Sequence, residues 1–211
     1  MSLESLIATT GAVLGATSPL EAAAAILGIA YVVLMIGQHR ACWIAGGIST
    51  AVYLFLFAHA GLYMQSLLQG YYVVIAVYGW WAWRGGDPAR ELKVARAGWR
   101  LQLLGLVAVA LASALTGAWL ARETHSTEPY LDSLSTWASV VATWLAARKK
   151  IDNWVWWFFI DALIAHLCWR HELYAAMIPY ILYLALVIIG WRSWYADMKR
   201  TSADTAFGTE P

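Results

Sequence analysis

Apolar residues run through this chain in long blocks separated by short polar breaks. The blocks cover 20–44, 42–58, 62–83, 101–120, 131–147, 153–169 and 173–195, each near the roughly 20 residues that carry a helix across a bilayer core. Seven spanning helices follow, so the expected fold is an all-α integral membrane protein. Ahead of them, Leu3–Ala16 is apolar but lacks the basic start of a signal peptide, and 1–18 reads as an interfacial or extra helix rather than a leader. The polar end, TSADTAFGTEP, reads as a disordered tail within 196–211. Pro179 falls inside the last block, where it removes a backbone donor and leaves the carbonyl of Ala175 without its helical partner. A hinge is expected there.

The pattern repeats. GLYMQSLLQGYYVVIAVYGWWAW, starting at Gly61, overlies ELYAAMIPYILYLALVIIGWRSW, starting at Glu172, at an offset of 111 residues without a gap. Tyr72/Tyr183, Gly79/Gly190, Trp80/Trp191 and Trp83/Trp194 are identical pairs, and the same offset carried backwards pairs Trp43 with Trp154 and Glu21 with Asp132. Two three-helix units, 19–84 and 131–195, are joined across 85–130 by a loop and one linker helix. Such a 3+1+3 parallel repeat is the arrangement of SWEET-type transporters, with the substrate site between the halves near the midplane. Glu21 and Asp132 are expected to begin their helices favourably rather than to do chemistry.

Composition and charge sharpen this. The chain has 211 residues, 61% hydrophobic and only 13% charged, about half the charged share of a soluble domain. Arg122 and Arg170 are the two of its 14 lysines and arginines that fall on one side of the expected topology; all the others fall on the other. The positive-inside rule then puts the N-terminus outside and the C-terminus in the cytoplasm. A net charge of +1 gives no footprint for nucleic acid. The two cysteines, Cys42 and Cys168, open the second helix and close the sixth on opposite sides, too far apart for a disulfide. No metal-ligand cluster, nucleophile elbow or phosphate-binding glycine loop appears in the sequence, so an enzyme is disfavoured and neither metal nor cofactor is expected.

Where the halves differ, a site can recognise one substrate. The offset pairs Cys42 with Asn153, Gly46 with Trp157, Thr50 with Asp161 and Gln69 with Tyr180. Trp154, Trp157 and Asp161 fall within about 60° of one another on a helix of 100° per residue. Asp161 lies about 12 Å along that helix from Asn153, near the bilayer centre, where an ionisable group costs about 2.5–3.5 kcal/mol and so faces a cavity or a partner. Two readings stand: an acid facing the substrate, or a strut between helices. On the third helix Gln65, Gln69, Tyr72 and Ala76 form a second stripe, whose amides can donate and accept. The two stripes together suit a planar, cationic ring with polar substituents. His166 lies well off the sixth-helix stripe and reads as packing.

These residues carry a resemblance. The block T-W-L-A-A-R-K-K-I-D-N-W-V-W-W-F-F-I-D, Thr143–Asp161, resembles the fifth-to-sixth helix signature of the PnuC family of nicotinamide riboside transporters. Leu68–Trp83, the G-L-Y before it and C-W-I-A-G-G-I-S at 42–49 resemble its third and second helices. The resemblance spans about 20–195. It implies uptake of nicotinamide riboside by facilitated diffusion across a bacterial inner membrane, a cytoplasmic kinase that traps the substrate, and a homotrimer. It also implies substrate contacts at Trp154, Trp157, Asp161 and Gln69; Gln65 departs from the family, standing where relatives often carry an acid. Asn153, Gln65, Tyr72 and Tyr180 complete the expected substrate-binding set, with Pro179 as hinge. Thiamine or riboflavin transport on the same fold is the alternative, with a SWEET-type sugar facilitator behind it; stacking on pyranose faces would not require the acid.

Overall fold

A computed structural model describes residues 18–59, 63–84, 92–123 and 128–206. Seven helices make it up: α1 (Pro19–Ile36), α2 (Cys42–His59), α3 (Tyr63–Ala82), α4 (Trp99–Glu123), α5 (Pro129–Ala147), α6 (Asn153–Arg170) and α7 (Tyr174–Ala206), with no strand among the described residues. A bilayer core offers backbone groups no water, and a helix satisfies them within itself. By length and apolar composition alone α1, α2, α4 and α7 suffice to cross. The other three, at 20, 19 and 18 residues, have the length but hold most of the buried polar side chains: Ser66, Ser133, Ser139, Thr143, Asn153 and Asp161. Those groups turn inward, and leucines such as Leu104, Leu111 and Leu115 on α4 turn outward.

Local signals set the helix starts. Proline stands in the first turn of both α1 and α5, where a missing N–H costs nothing. Ser18 and Glu21 close a reciprocal cap on α1: the Ser18 N–H donates to Glu21 Oε2 at 2.8 Å and the Glu21 N–H to Ser18 Oγ at 3.2 Å. Asp132 occupies the first turn of α5, where its charge meets the helix dipole.

The repeat is visible down to single backbone angles. Gln38 and Lys149, 111 positions apart, both adopt the left-handed conformation, φ 54° and 48°. Their N–H groups donate to Met35 and Ala146 at 3.0 and 2.9 Å, reversing the chain into α2 and α6. The Trp43 ring lies on Gly79 and the Trp154 ring on Gly190, so closely that a Cβ at either glycine would overlap it. Trp43 meets Trp83 edge-on at 5.5 Å and 88°, and Trp154 meets Trp194 at 5.4 Å and 87°. The first tryptophan of each G-W-x-x-W therefore lies nearer the surface, while the second is core.

α1, α2 and α3 pack in sequence, as do α5, α6 and α7, and α4 lies along α5. The halves meet through α3 on α5 and α7 on α1, the same contact made twice. Trp83 Nε1 donates to the Ala147 carbonyl and Trp194 Nε1 to the Met35 carbonyl, each at 3.1 Å, so each half is pinned to the first helix of the other. At this basic end Arg40 covers Trp80 at 3.7 Å and Lys149 covers Trp83 at 4.9 Å. The loop before α4 is laced to the α5–α6 turn through Ala95 N–H to Lys149 and Ile151 N–H to the Ala95 carbonyl.

One segment differs from the sequence reading. α7 runs to Ala206, so 196–206, expected as a disordered tail, is helical, and its first turns are held by contacts: Gln38 Nε2 donates to Asp197 Oδ2 at 3.0 Å, and Tyr195 and Met198 pack on the tryptophan core. Polarity alone hid those anchors. Residues 207–211 and the helix expected over 1–17 lie outside the described residues. Cys42 and Cys168 are both free and buried.

Candidate substrate cavity

A cavity of about 120 Å³ lies between the halves, far above the roughly 10–15 Å³ that one water needs. Tyr31 of α1 and Trp43 of α2 form one side of it, Tyr72 of α3 closes another, and Thr143 of α5 and Trp157 of α6 reach in from the second half. Gly28, Gly46, Thr50 and Ala76 supply small surfaces between the rings. The wall is mostly aromatic and aliphatic.

Its polar atoms fall into two groups. The hydroxyls around it are mostly spent on the protein: Thr50 donates to the Gly46 carbonyl at 2.9 Å, Ser49 to the Ala24 carbonyl at 2.8 Å and Thr143 to the Ser139 carbonyl at 2.8 Å. Tyr31 Oη, Trp43 Nε1 and Trp157 Nε1 are different. All three are buried with no hydrogen-bond partner in the protein. A buried polar atom left unmade costs about 1–3 kcal/mol; all three belong to residues that line the cavity, although the atoms themselves present almost no surface to it.

Of the residues singled out in the sequence, Trp157 and Tyr72 line this cavity together with Ala76. Asp161, one turn beyond Trp157 on α6, is buried and lies outside the residues that line the cavity. Tyr180 meets Tyr183 at 6.5 Å. Gln69, one turn from Tyr72, is half-buried and its Oε1 has no partner. These groups form a polar layer on the side of the cavity away from the basic end.

Three residues lie elsewhere. Trp154 is 1% exposed and belongs to the tryptophan cluster at the basic end. Asn153 is fully buried in the α5–α6 turn, donating from Nδ2 to the Lys150 carbonyl at 2.7 Å. Gln65 is exposed on the first turn of α3. Pro179 is exposed within α7, which continues through it, and His166 is exposed on α6. Sequence reasoning did not nominate Tyr31 or Trp43. The repeat offset held the signal for Tyr31, since it pairs that ring with Ala142 just as it pairs Gly46 with Trp157.

Comparison with known proteins agrees with this architecture. A solved crystal structure of the vitamin B3 transporter PnuC superposes with a TM-score of 0.70 at 25% identity, over 89% of this chain and 85% of that one. The nicotinamide riboside transporter PnuC of Escherichia coli (strain K12) is 24% identical over 201 residues, 83% of this chain and 84% of its own. The riboflavin/roseoflavin transporter RibM of Streptomyces davaonensis is 28% identical over 138 residues, 64% of this chain and 65% of RibM. The model of the nicotinamide mononucleotide transporter family matches residues 18–196. This multi-pass membrane protein is a transporter rather than an enzyme, and it belongs to the nicotinamide mononucleotide transporter family.

Proposed function

We propose that the protein carries nicotinamide riboside through the cavity between its halves by facilitated diffusion. The observation that supports this most is the set of unpaired Tyr31 Oη, Trp43 Nε1 and Trp157 Nε1 around an otherwise aromatic cavity. A pyridinium ring prefers aromatic faces, because the ring quadrupole attracts a cation. Its carboxamide and ribose oxygens supply acceptors for the three groups. Asp161, one turn beyond Trp157, places a carboxyl group close to the cavity, and its ionised form would attract a cation. In this reading the basic end faces the cytoplasm of a bacterial cell, and a kinase there phosphorylates the arriving riboside and prevents its return.

Riboflavin is the second reading, favoured by the similarity to RibM. Titrating the purified protein with nicotinamide riboside, thiamine, riboflavin and glucose separates the readings. Tightest binding of the riboside is expected. Riboflavin binding more tightly would reassign the substrate, and glucose doing so would remove the vitamin reading. Uptake of the riboside into vesicles without any ion gradient is the expected mark of facilitated diffusion; a requirement for a sodium or proton gradient would contradict it.

A further inference from the structure

At the paired positions 31/142 and 46/157 each half brings one large ring to the cavity, but from different helices. In the first half the ring is Tyr31 on α1, and the facing position on α2 is Gly46. In the second half the offset of 111 makes these Ala142 and Trp157, so the large residue has moved to the second helix and the small one to the first. Each ring uses the space its small partner leaves. A Cβ added at Gly46 would come within 2.8 Å of Tyr31 Cδ2 and within 3.2 and 3.3 Å of Cγ and Cε2, so the Tyr31 ring lies against the α2 backbone at Gly46. Trp157 packs against the cluster that contains the fully buried Ala142. Two large changes of size in opposite directions keep the shell packed while making the cavity lopsided.

From this we infer that Tyr31 is the specificity-determining residue that limits the size of the ring system admitted, and that Gly46 is the positioning residue that lets Tyr31 recline. The inference rests on the reading of the cavity as the substrate site and names what sets its size there. Tyr31 is suited to the task. It leans edge-on to Trp43 at 5.8 Å and 62°, which fixes its ring against two surfaces, and its unpaired hydroxyl rewards a guest short enough to leave it in place. A tricyclic flavin needs the volume that the Tyr31 ring occupies; a single pyridinium does not.

The test uses five forms of the full chain, wild type, Tyr31→Phe, Tyr31→Ala, Gly46→Ala and the double variant Gly46→Ala with Tyr31→Ala, titrated with nicotinamide, nicotinamide riboside and riboflavin. Tyr31→Ala is expected to raise the affinity for riboflavin relative to the riboside by about tenfold or more, the usual scale for changing the volume of an apolar pocket. Tyr31→Phe keeps the ring and is expected to weaken the riboside while leaving the order of ligands unchanged. Gly46→Ala pushes the ring into the cavity, so riboside affinity should fall with nicotinamide affinity retained, and adding Tyr31→Ala to it should restore the riboside. Gly46→Ala weakening all three ligands equally, without that rescue, would reduce Gly46 to helix packing and overturn its part. An unchanged ratio of riboflavin to riboside affinity in folded Tyr31→Ala would overturn the inference while the wild-type binding still supported the function. Wild-type protein that bound none of the three would overturn both.

Discussion

Trp154 and Trp157 stand three residues apart on one stripe of α6, yet they do different work. The difference is depth rather than angle. Trp154 lies in the first turn, where Gly190 admits its ring and Trp194 meets it; one turn further in, the facing helices leave a cavity and Trp157 borders it. Gly190→Ala and Gly79→Ala should therefore lower thermal stability by similar amounts, about 1–3 kcal/mol each as overpacking, with a matching loss in melting temperature in detergent. Unequal effects of the two would contradict the equivalence of the repeats at these contacts. Asp161 makes a second residue-scale prediction. Asp161→Asn keeps shape and hydrogen-bonding capacity but removes charge, so affinity for cationic nicotinamide riboside should fall more than affinity for its neutral, reduced-ring analogue. Equal losses accompanied by a lower melting temperature would make Asp161 a strut between α6 and its neighbours. The acid was legible in the sequence because charge is rare at that depth. Its place outside the cavity lining was not, because a helical wheel gives direction but not what stands in front.

Among the elements, α7 departs most from its counterpart α3. It holds Pro179 where the offset gives Leu68, and it is 33 residues long, continuing past the core. Rocking of one half on the other requires a helix that bends, and proline frees one hydrogen bond for it. Pro179→Ala should slow riboside uptake several-fold while leaving equilibrium affinity nearly unchanged, as separate vesicle uptake and titration measurements would read. Unchanged uptake would leave a static feature. All seven helices could be read from blocks of apolar residues, since the bilayer demands about 20 of them in a row. Two element-scale features could not. The extension of α7 depends on Gln38 and the tryptophan cluster, which are distant in sequence. Gln65 shares a stripe with Tyr72, but α3 is longer than the cavity is deep, so the stripe continues into an exposed turn.

At the scale of the molecule, duplication supplies a symmetric frame and substitution makes it selective. The frame includes paired left-handed turns at Gln38 and Lys149, paired tryptophan–glycine contacts, and the two tryptophan N–H groups that pin each half to the other. All of these obey the offset that the sequence displays or fall within one residue of it. Around the cavity the symmetry breaks: Trp157 answers Gly46, Asp161 answers Thr50, and Tyr31 answers Ala142. The function proposed above requires the substrate to rest in this asymmetric space against Trp157. Its most direct test is equilibrium binding of nicotinamide riboside to wild type, Trp157→Ala and Trp169→Ala, the last an exposed tryptophan on the same helix. Loss of a desolvated stacking face worth about 1–3 kcal/mol predicts roughly five- to hundred-fold weaker binding for Trp157→Ala, with Trp169→Ala close to wild type and all three equally folded. Binding by folded Trp157→Ala as tight as wild type would contradict the claim.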